Sequence, residues 1–442
     1  MVPKVVGSIP ITRPKHKHYE RLQTFGVFLF VMINAMFQDK IMRRLFPLYL
    51  SSFFQGLIFW YAIEKVFMTS IGFTPTTIAI QISVMAVTGI LLEVPSGILA
   101  DRWSRKGILV VACTALALAS FLLGISDSVV GYTLASILYG VYFALHSGAY
   151  DSMVYDTLIE VQGSRNGFEK YLGNATLIAS VGLIIGSLLG GVIGEKFGLN
   201  SAYFWSIPGS LLAIIAAASF KEPLLHKAEK SINVVKHTRD TLYVVFQKGY
   251  LAWVVVTLLA TSVIYSTLLE LSQLWPLALD MGLPWFGPLN ALILLGLGIG
   301  TPIAAVIIKK RTFLPLAYVL SLCTIFLLTT RNIQIVALAQ FGAIVLSISL
   351  YTIALGRFHD SLPSSLRSSS SSVISSTINI LFIPFIYVFA WLAEANSVFI
   401  AAYLLIPFAI ISIIGMIIIS RRAYESSLTE RIKPFPNTSG SQ

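Results

Sequence analysis

Apolar residues run along this chain in blocks of about 20, the length at which a helix crosses a bilayer, and short polar clusters separate them. Twelve blocks stand out, at 45–66, 77–99, 107–126, 129–151, 171–194, 200–220, 249–275, 286–308, 313–330, 333–356, 372–394 and 397–420. The pattern predicts twelve membrane-spanning helices, spans one to twelve. The turns at Ser126–Asp127 and Arg331–Asn332 are short enough to make antiparallel hairpins of spans three and four and of spans nine and ten.

The longest polar interruption, 221–248, holds six basic and three acidic residues and falls midway through the spans. It predicts two six-helix halves, 42–220 and 249–420, an inter-half loop and a tail at 421–442. Within the loop, 232–246 has the spacing of an amphipathic surface helix, with a solvated linker as the alternative. Residues 1–41 fit poorly. Their apolar run, Phe25 to Phe37, is too short to span, is flanked by Arg21 and Lys40, and lacks a small-residue cleavage site. It reads as an interfacial helix or as a non-native extension. Gly7–Pro14, "GSIPITRP", reads as a translated tRNA-gene T-arm, which would put the native start at Met36 or Met42.

Composition agrees with the blocks: 56% of residues are hydrophobic and 12% charged, against about a quarter charged in a soluble domain. The net charge of +11 taken alone would suit nucleic acid. Its distribution does not. With the N-terminus inside, only Lys65, Lys196 and Arg331 of the 31 basic residues fall in outward loops. The excess is positive-inside bias. Both termini are therefore expected in the cytoplasm, with the bilayer and not nucleic acid as partner. Cys113 and Cys323 lie in apolar runs and read as packing residues.

Two carboxylates resist this explanation. "LLEVPSGILADRWSRKG", Leu91–Gly107, joins spans two and three and sets Glu93 eight residues before Asp101. At 1.5 Å per residue Glu93 lies about 12 Å up the helix, within the hydrocarbon. There a carboxylate is costly and marks function, either protonated or hydrogen-bonded to span four or eleven. Gly97, Asp101 and Arg105 are spaced four apart and share a helical face. No phosphate-binding Gly-Lys-Ser/Thr loop, no hydrolase signature and no metal-ligand cluster is present, and no cofactor is implied.

"GILADRWSRK" resembles the loop signature of the major facilitator superfamily at Gly97, Asp101, Arg102, Arg105 and Lys106, with Ser104 standing where the family has a second glycine. The span pattern carries the resemblance over roughly 43–422. The resemblance implies an all-α polytopic fold of two six-helix repeats working by alternating access. It implies that Asp101 caps the start of span eleven, "RSSSSSVISS", and that the loop arginine pairs with Asp151 or Asp156 of span four. It also places spans one, four, seven and ten around a central cavity. Polar residues of those spans are then the candidates for proton and substrate: Gln55, Tyr61, Glu64, Tyr142, His146, Tyr265, Glu270, Gln273, Ser347 and Tyr351. Glu270, a lone carboxylate in an apolar span, is the first choice for a proton carrier.

Span five carries Gly182, Gly186, Gly190 and Gly194 at intervals of four, a stripe for close helix packing. With Gly191 it also resembles the antiporter motif of the family, Ser187 replacing a proline. The expectation is a monomeric, proton-coupled exporter of small amphipathic compounds in a bacterial cell membrane, resembling drug:proton antiporters. The alternatives are uptake of a sugar, amino acid or other metabolite, and a non-transporting sensor or intramembrane enzyme on the same fold.

Overall fold

The structure is a computed structural model that describes residues 39–164, 166–223, 249–310, 314–361 and 367–432. Residues 1–38 and the inter-half loop at 224–248 lie outside it, as do the side chains of Gly97, Asp101 and Arg102 and of the start of span eleven. The described chain is helical throughout. Ten of its helices are long and apolar enough to cross a membrane. These are spans two (Pro75–Arg102), three (Arg105–Ile125), four (Val129–Gln162), five (Phe168–Phe197) and six (Leu199–Ser219), then seven (Tyr250–Leu271), eight (Phe286–Lys309), ten (Ile333–Asp360), eleven (Arg367–Ala395) and twelve (Val398–Ala401 continuing into Leu405–Ile432). Span nine is described over Leu314–Leu327 only.

Local sequence sets the helix starts. Thr74 and Thr77 form a reciprocal capping box before span two. Ser104, Ser128 and Asn332 accept backbone N–H bonds at the starts of spans three, four and ten. Asp39 caps Lys40–Gly56 and also accepts the Tyr171 hydroxyl of span five at 2.7 Å. The first helix thus begins at Lys40, five residues before the apolar block.

Span one departs most from expectation. Instead of one helix over 45–66 it is a helix (Lys40–Gly56), a break, a single 3₁₀ turn (Phe59–Ala62) and a short helix (Glu64–Ser70). Gly56 ends the first piece, and the Ile58–Tyr61 run is β-branched and aromatic, types that lose rotamer freedom in a helix. The break turns Trp60 inward. It is fully buried, stacked on Tyr203 at 5.2 Å, with its indole N–H donated to Ser120 Oγ.

Spans two and eleven pack together, as do five and eight, and these pairs join the halves. Apolar packing is divided unequally along the molecule. At the end bearing Glu64 a single buried cluster takes residues from both halves, among them Trp60, Tyr132, Leu268, Trp275 and Phe389. At the end bearing Arg105 there are two clusters. One is drawn from spans one, three, four, five and six, the other from spans seven to twelve. Among the described residues the halves are therefore closed on each other at the Glu64 end and separately packed at the Arg105 end.

Candidate functional site

The break in span one leaves backbone groups without helical partners, and buried polar groups must find others. Two side chains supply them, through three hydrogen bonds. Ser206 Oγ of span six accepts Phe59 N–H at 2.9 Å. Gln273, just past span seven, accepts Lys65 N–H through Oε1 at 3.0 Å and donates Nε2 to the Tyr61 carbonyl at 2.8 Å. One buried amide thus straps span one of the first half to span seven of the second. Each such bond contributes about 1 kcal/mol net.

Glu64 and Lys65 sit inside this strap. Lys65 Nζ lies 2.7 Å from Glu64 Oε2, and the two side chains are 2% and 12% exposed. Glu64 Oε1 accepts the Tyr132 hydroxyl at 3.2 Å, which pairs with the Tyr203 hydroxyl at 3.0 Å. Glu270 lies in the field of both charges, attracted by Lys65 and repelled by Glu64, and Tyr61 and Tyr139 share that field. Lys65 was expected in an outward loop. It is instead a buried cation between two carboxylates. The sign of this was in the sequence: a Glu-Lys dipeptide in an apolar block carries no net charge to hold it in water.

The remaining cavity candidates form separate groups. Tyr142 donates to Gln55 Oε1 at 3.0 Å, and Gln55 donates to Ser51 Oγ at 2.9 Å. His146 lies between the rings of Tyr142 (5.6 Å) and Tyr150 (5.2 Å), without a hydrogen-bond partner among the described residues. Tyr265 and Tyr351 meet edge-on at 5.5 Å between spans seven and ten.

At the opposite end the loop between spans two and three is tied into its own half. Arg105 pairs with Asp156, not Asp151, whose side chain is exposed. Glu222, the second residue after span six's last turn residue Phe220, accepts Arg105 N–H at 2.7 Å and the Ser104 hydroxyl at 2.6 Å. Lys106 Nζ donates to the Ala218 carbonyl at 3.1 Å. Ser104 in the glycine position therefore serves as helix cap and as a donor to Glu222. Its carboxylate suits the positive end of span three. Glu222→Ala is expected to loosen that end by about 1 kcal/mol, read as about fivefold faster amide exchange at Arg105 and Gly107. Asp156→Asn should cost about 1 kcal/mol of thermal stability, and the exchange Arg105→Asp with Asp156→Arg should recover most of it.

Glu93 departs from one of its two expected states, the one hydrogen-bonded to span four or eleven. Its side chain is exposed and has no hydrogen bond to span four or eleven among the described residues. It is Ser96, one turn on, that bonds span four, donating to the Ala144 carbonyl at 2.9 Å. The expected contact of Asp101 with the start of span eleven lies outside the described side chains.

The glycine stripe packs on the break. A Cβ at Gly182 would strike the Phe53 carbonyl, one at Gly186 the Ile58 backbone and one at Gly190 the Phe59 carbonyl. Gly191 faces the Leu283 carbonyl of the second half. Ser187, in the proline position, accepts Asn290 Nδ2 of span eight at 3.0 Å and is fully buried.

Comparison with known proteins agrees with this architecture. The sequence profile of the Major Facilitator Superfamily matches residues 45–383. Among curated relatives, the MFS-type transporter MJ1560 of Methanocaldococcus jannaschii is 21% identical over 200 residues, 45% of this chain and 50% of that one. The class H tetracycline resistance protein of Pasteurella multocida is 26% identical over 36% of this chain and 38% of its own. Multidrug resistance protein 1 of Bacillus subtilis is 23% identical over 38% and 42%. The matched stretch thus spans half or less of each relative. Among solved structures, the nucleoside transporter NupG superposes with a TM-score of 0.63 at 13% identity, covering 84% of this chain and 98% of that one. A bacterial homologue of the human lysosomal transporter Spinster, in an inward-facing and occupied conformation, gives 0.61 at 12% identity over 87% and 95%. These structures share the fold. The chain belongs to the Major Facilitator Superfamily and is a multi-pass membrane protein.

Proposed function

We propose that this transporter exports small amphipathic compounds in exchange for protons, with Glu270 as the proton carrier. The observation that supports this most is the cluster of two carboxylates and one ammonium buried between the halves, where Glu270 is the carboxylate with no hydrogen bond among the described residues. In a low-dielectric site two carboxylates and one cation leave a surplus negative charge, and binding one proton removes it. The distribution of Lys and Arg supports cytoplasmic termini, and on that reading the Arg105 end is the inner end. The resting state is then open inward, as an exporter collecting its cargo from the cell requires. The inner gate assigned to Asp101 forms when the halves close at this end, along spans two and eleven, which already lie together.

The names of the tetracycline and multidrug resistance relatives select the first compounds to try. Everted membrane vesicles energised by respiration report proton release as quenching relief of a pH dye. Tetracycline or a member of an amphipathic panel is expected to give relief in vesicles with the protein and none without it. If no compound does, while one drives counterflow in the uptake direction, the export reading is wrong.

A further inference from the structure

We propose that Lys65 is the fixed counter-ion of Glu64 and not of Glu270, and that this pair, strapped to span seven by Gln273, is the gate at the Glu64 end. The proposal deepens the reading of Glu270 as proton carrier and rests on it, since it explains why Glu64, the other carboxylate of the cluster, does not share that task.

The two carboxylates differ in what surrounds them. Glu64 is fully engaged: Oε2 takes the Lys65 ammonium at 2.7 Å and Oε1 takes the Tyr132 hydroxyl at 3.2 Å. An ionised carboxylate only accepts hydrogen bonds, and both partners donate to it. Tyr203 fixes the Tyr132 hydroxyl from the far side. Glu270 has no such bonds among the described residues and meets the pair only through its field. The charged and titratable groups around the cluster are Tyr61, Glu64 and Lys65 of span one, Tyr132 and Tyr139 of span four, Tyr203 of span six and Glu270 of span seven. Only one of them is a cation. It is committed to its sequence neighbour.

The same lysine ties the charge to the gate. Its backbone N–H is one of the two bonds that Gln273 makes across the halves, and Gln273 follows Glu270 by three residues, about one helical turn. Moving span one away from span seven to open this end must break both amide bonds. It must also carry the Glu64–Lys65 pair, as a neutral unit, away from Glu270. Keeping the pair together spares the separation of two buried charges, which is far more costly.

The test labels carboxyl groups with dicyclohexylcarbodiimide, a hydrophobic reagent that attacks the protonated form, on the full chain in lipid nanodiscs at pH 6, with adducts located by peptide mass spectrometry. Glu270 is expected to label at least about tenfold faster than Glu64, whose two oxygens are both taken by hydrogen-bond donors. Lys65→Gln should raise Glu64 labelling by about tenfold or more. Lys65→Arg should return it to the wild-type level, and Lys196→Gln, at an exposed lysine, should leave it unchanged. If Lys65→Gln does not fold, Tyr132→Phe serves in its place and should raise Glu64 labelling about threefold or more. Equal labelling of the two carboxylates in the wild type overturns the assignment. So does a Lys65→Gln or Tyr132→Phe protein whose Glu64 stays unreactive. For the strap, Gln273→Ala should speed amide exchange at Lys65 about tenfold, and an unchanged rate overturns it. The carrier reading fails separately, through flux in Glu270→Gln, whatever the labelling ratio.

Discussion

Gly190→Ala is expected to destabilise the folded transporter by about 2–3 kcal/mol, at the upper end of what overpacking a tight interior costs. The added methyl would occupy the place of the Phe59 carbonyl, with Phe59 Cα 3.5 Å away. That backbone has little room to move, since Phe59 N–H is held by Ser206 and the next residue, Trp60, is stacked on Tyr203 and bonded to Ser120. A shift of span five would not help. Gly182 and Gly186 bring the same helix against the Phe53 and Ile58 backbone, and Gly191 brings it against Leu283. The matched control is Gly298→Ala in span eight, where nothing lies within 4 Å. There the substitution relieves the conformational cost of a mid-helix glycine and should stabilise by about 0.5–1 kcal/mol. Thermal unfolding in one detergent reads both. If the two substitutions behave alike, the stripe does not seat on the break and its glycines need another explanation.

The sequence carried much of this fold because a membrane restricts what a chain can do. A helix is the only way for these apolar segments to satisfy their backbone in lipid, so block length alone predicted the helices other than span one. The stripe of glycines was visible for a similar reason: a spacing of four puts them on one face whatever they meet. What they meet was not visible. The break in span one depends on Ser206 and Gln273, which are 147 and 208 residues away from the N–H groups they accept, and no local pattern signals a helix that yields because distant side chains offer it partners. Helix propensity is weak evidence in either direction at such a place.

The site divides along the same line. Glu270, Gln273 and Tyr61 were picked as polar residues in apolar spans, and the structure brings them to one place with Glu64. Lys65 was assigned to a loop because a lysine at the edge of an apolar block normally reaches water. Here Glu64 beside it removes the need. Glu93 failed in the opposite direction. The sequence supplied only its position along span two, and position does not say which way a side chain faces: Glu93 is exposed, not packed inside the protein. The loop arginine had two candidate partners five residues apart on span four, and only Asp156 is in reach.

Glu270→Gln is expected to abolish proton-driven transport while leaving the site able to bind and exchange its cargo. Glutamine keeps the size and hydrogen-bonding capacity of the protonated acid and cannot ionise. The cluster would then be held permanently in its neutral form, Glu64 still paired with Lys65. Such a protein should stay folded and closed at the Glu64 end through Gln273. It should also equilibrate a labelled compound across a membrane without being able to concentrate it.

The most direct test follows proton movement and cargo movement together in proteoliposomes, using the compound that gives the largest response in the everted-vesicle panel. In the wild type an imposed pH gradient should drive accumulation of the compound, with protons moving the opposite way. In Glu270→Gln the account predicts no gradient-driven accumulation and no coupled proton movement, with exchange of internal for external compound retained. Proton-coupled accumulation in Glu270→Gln at the wild-type rate would contradict it.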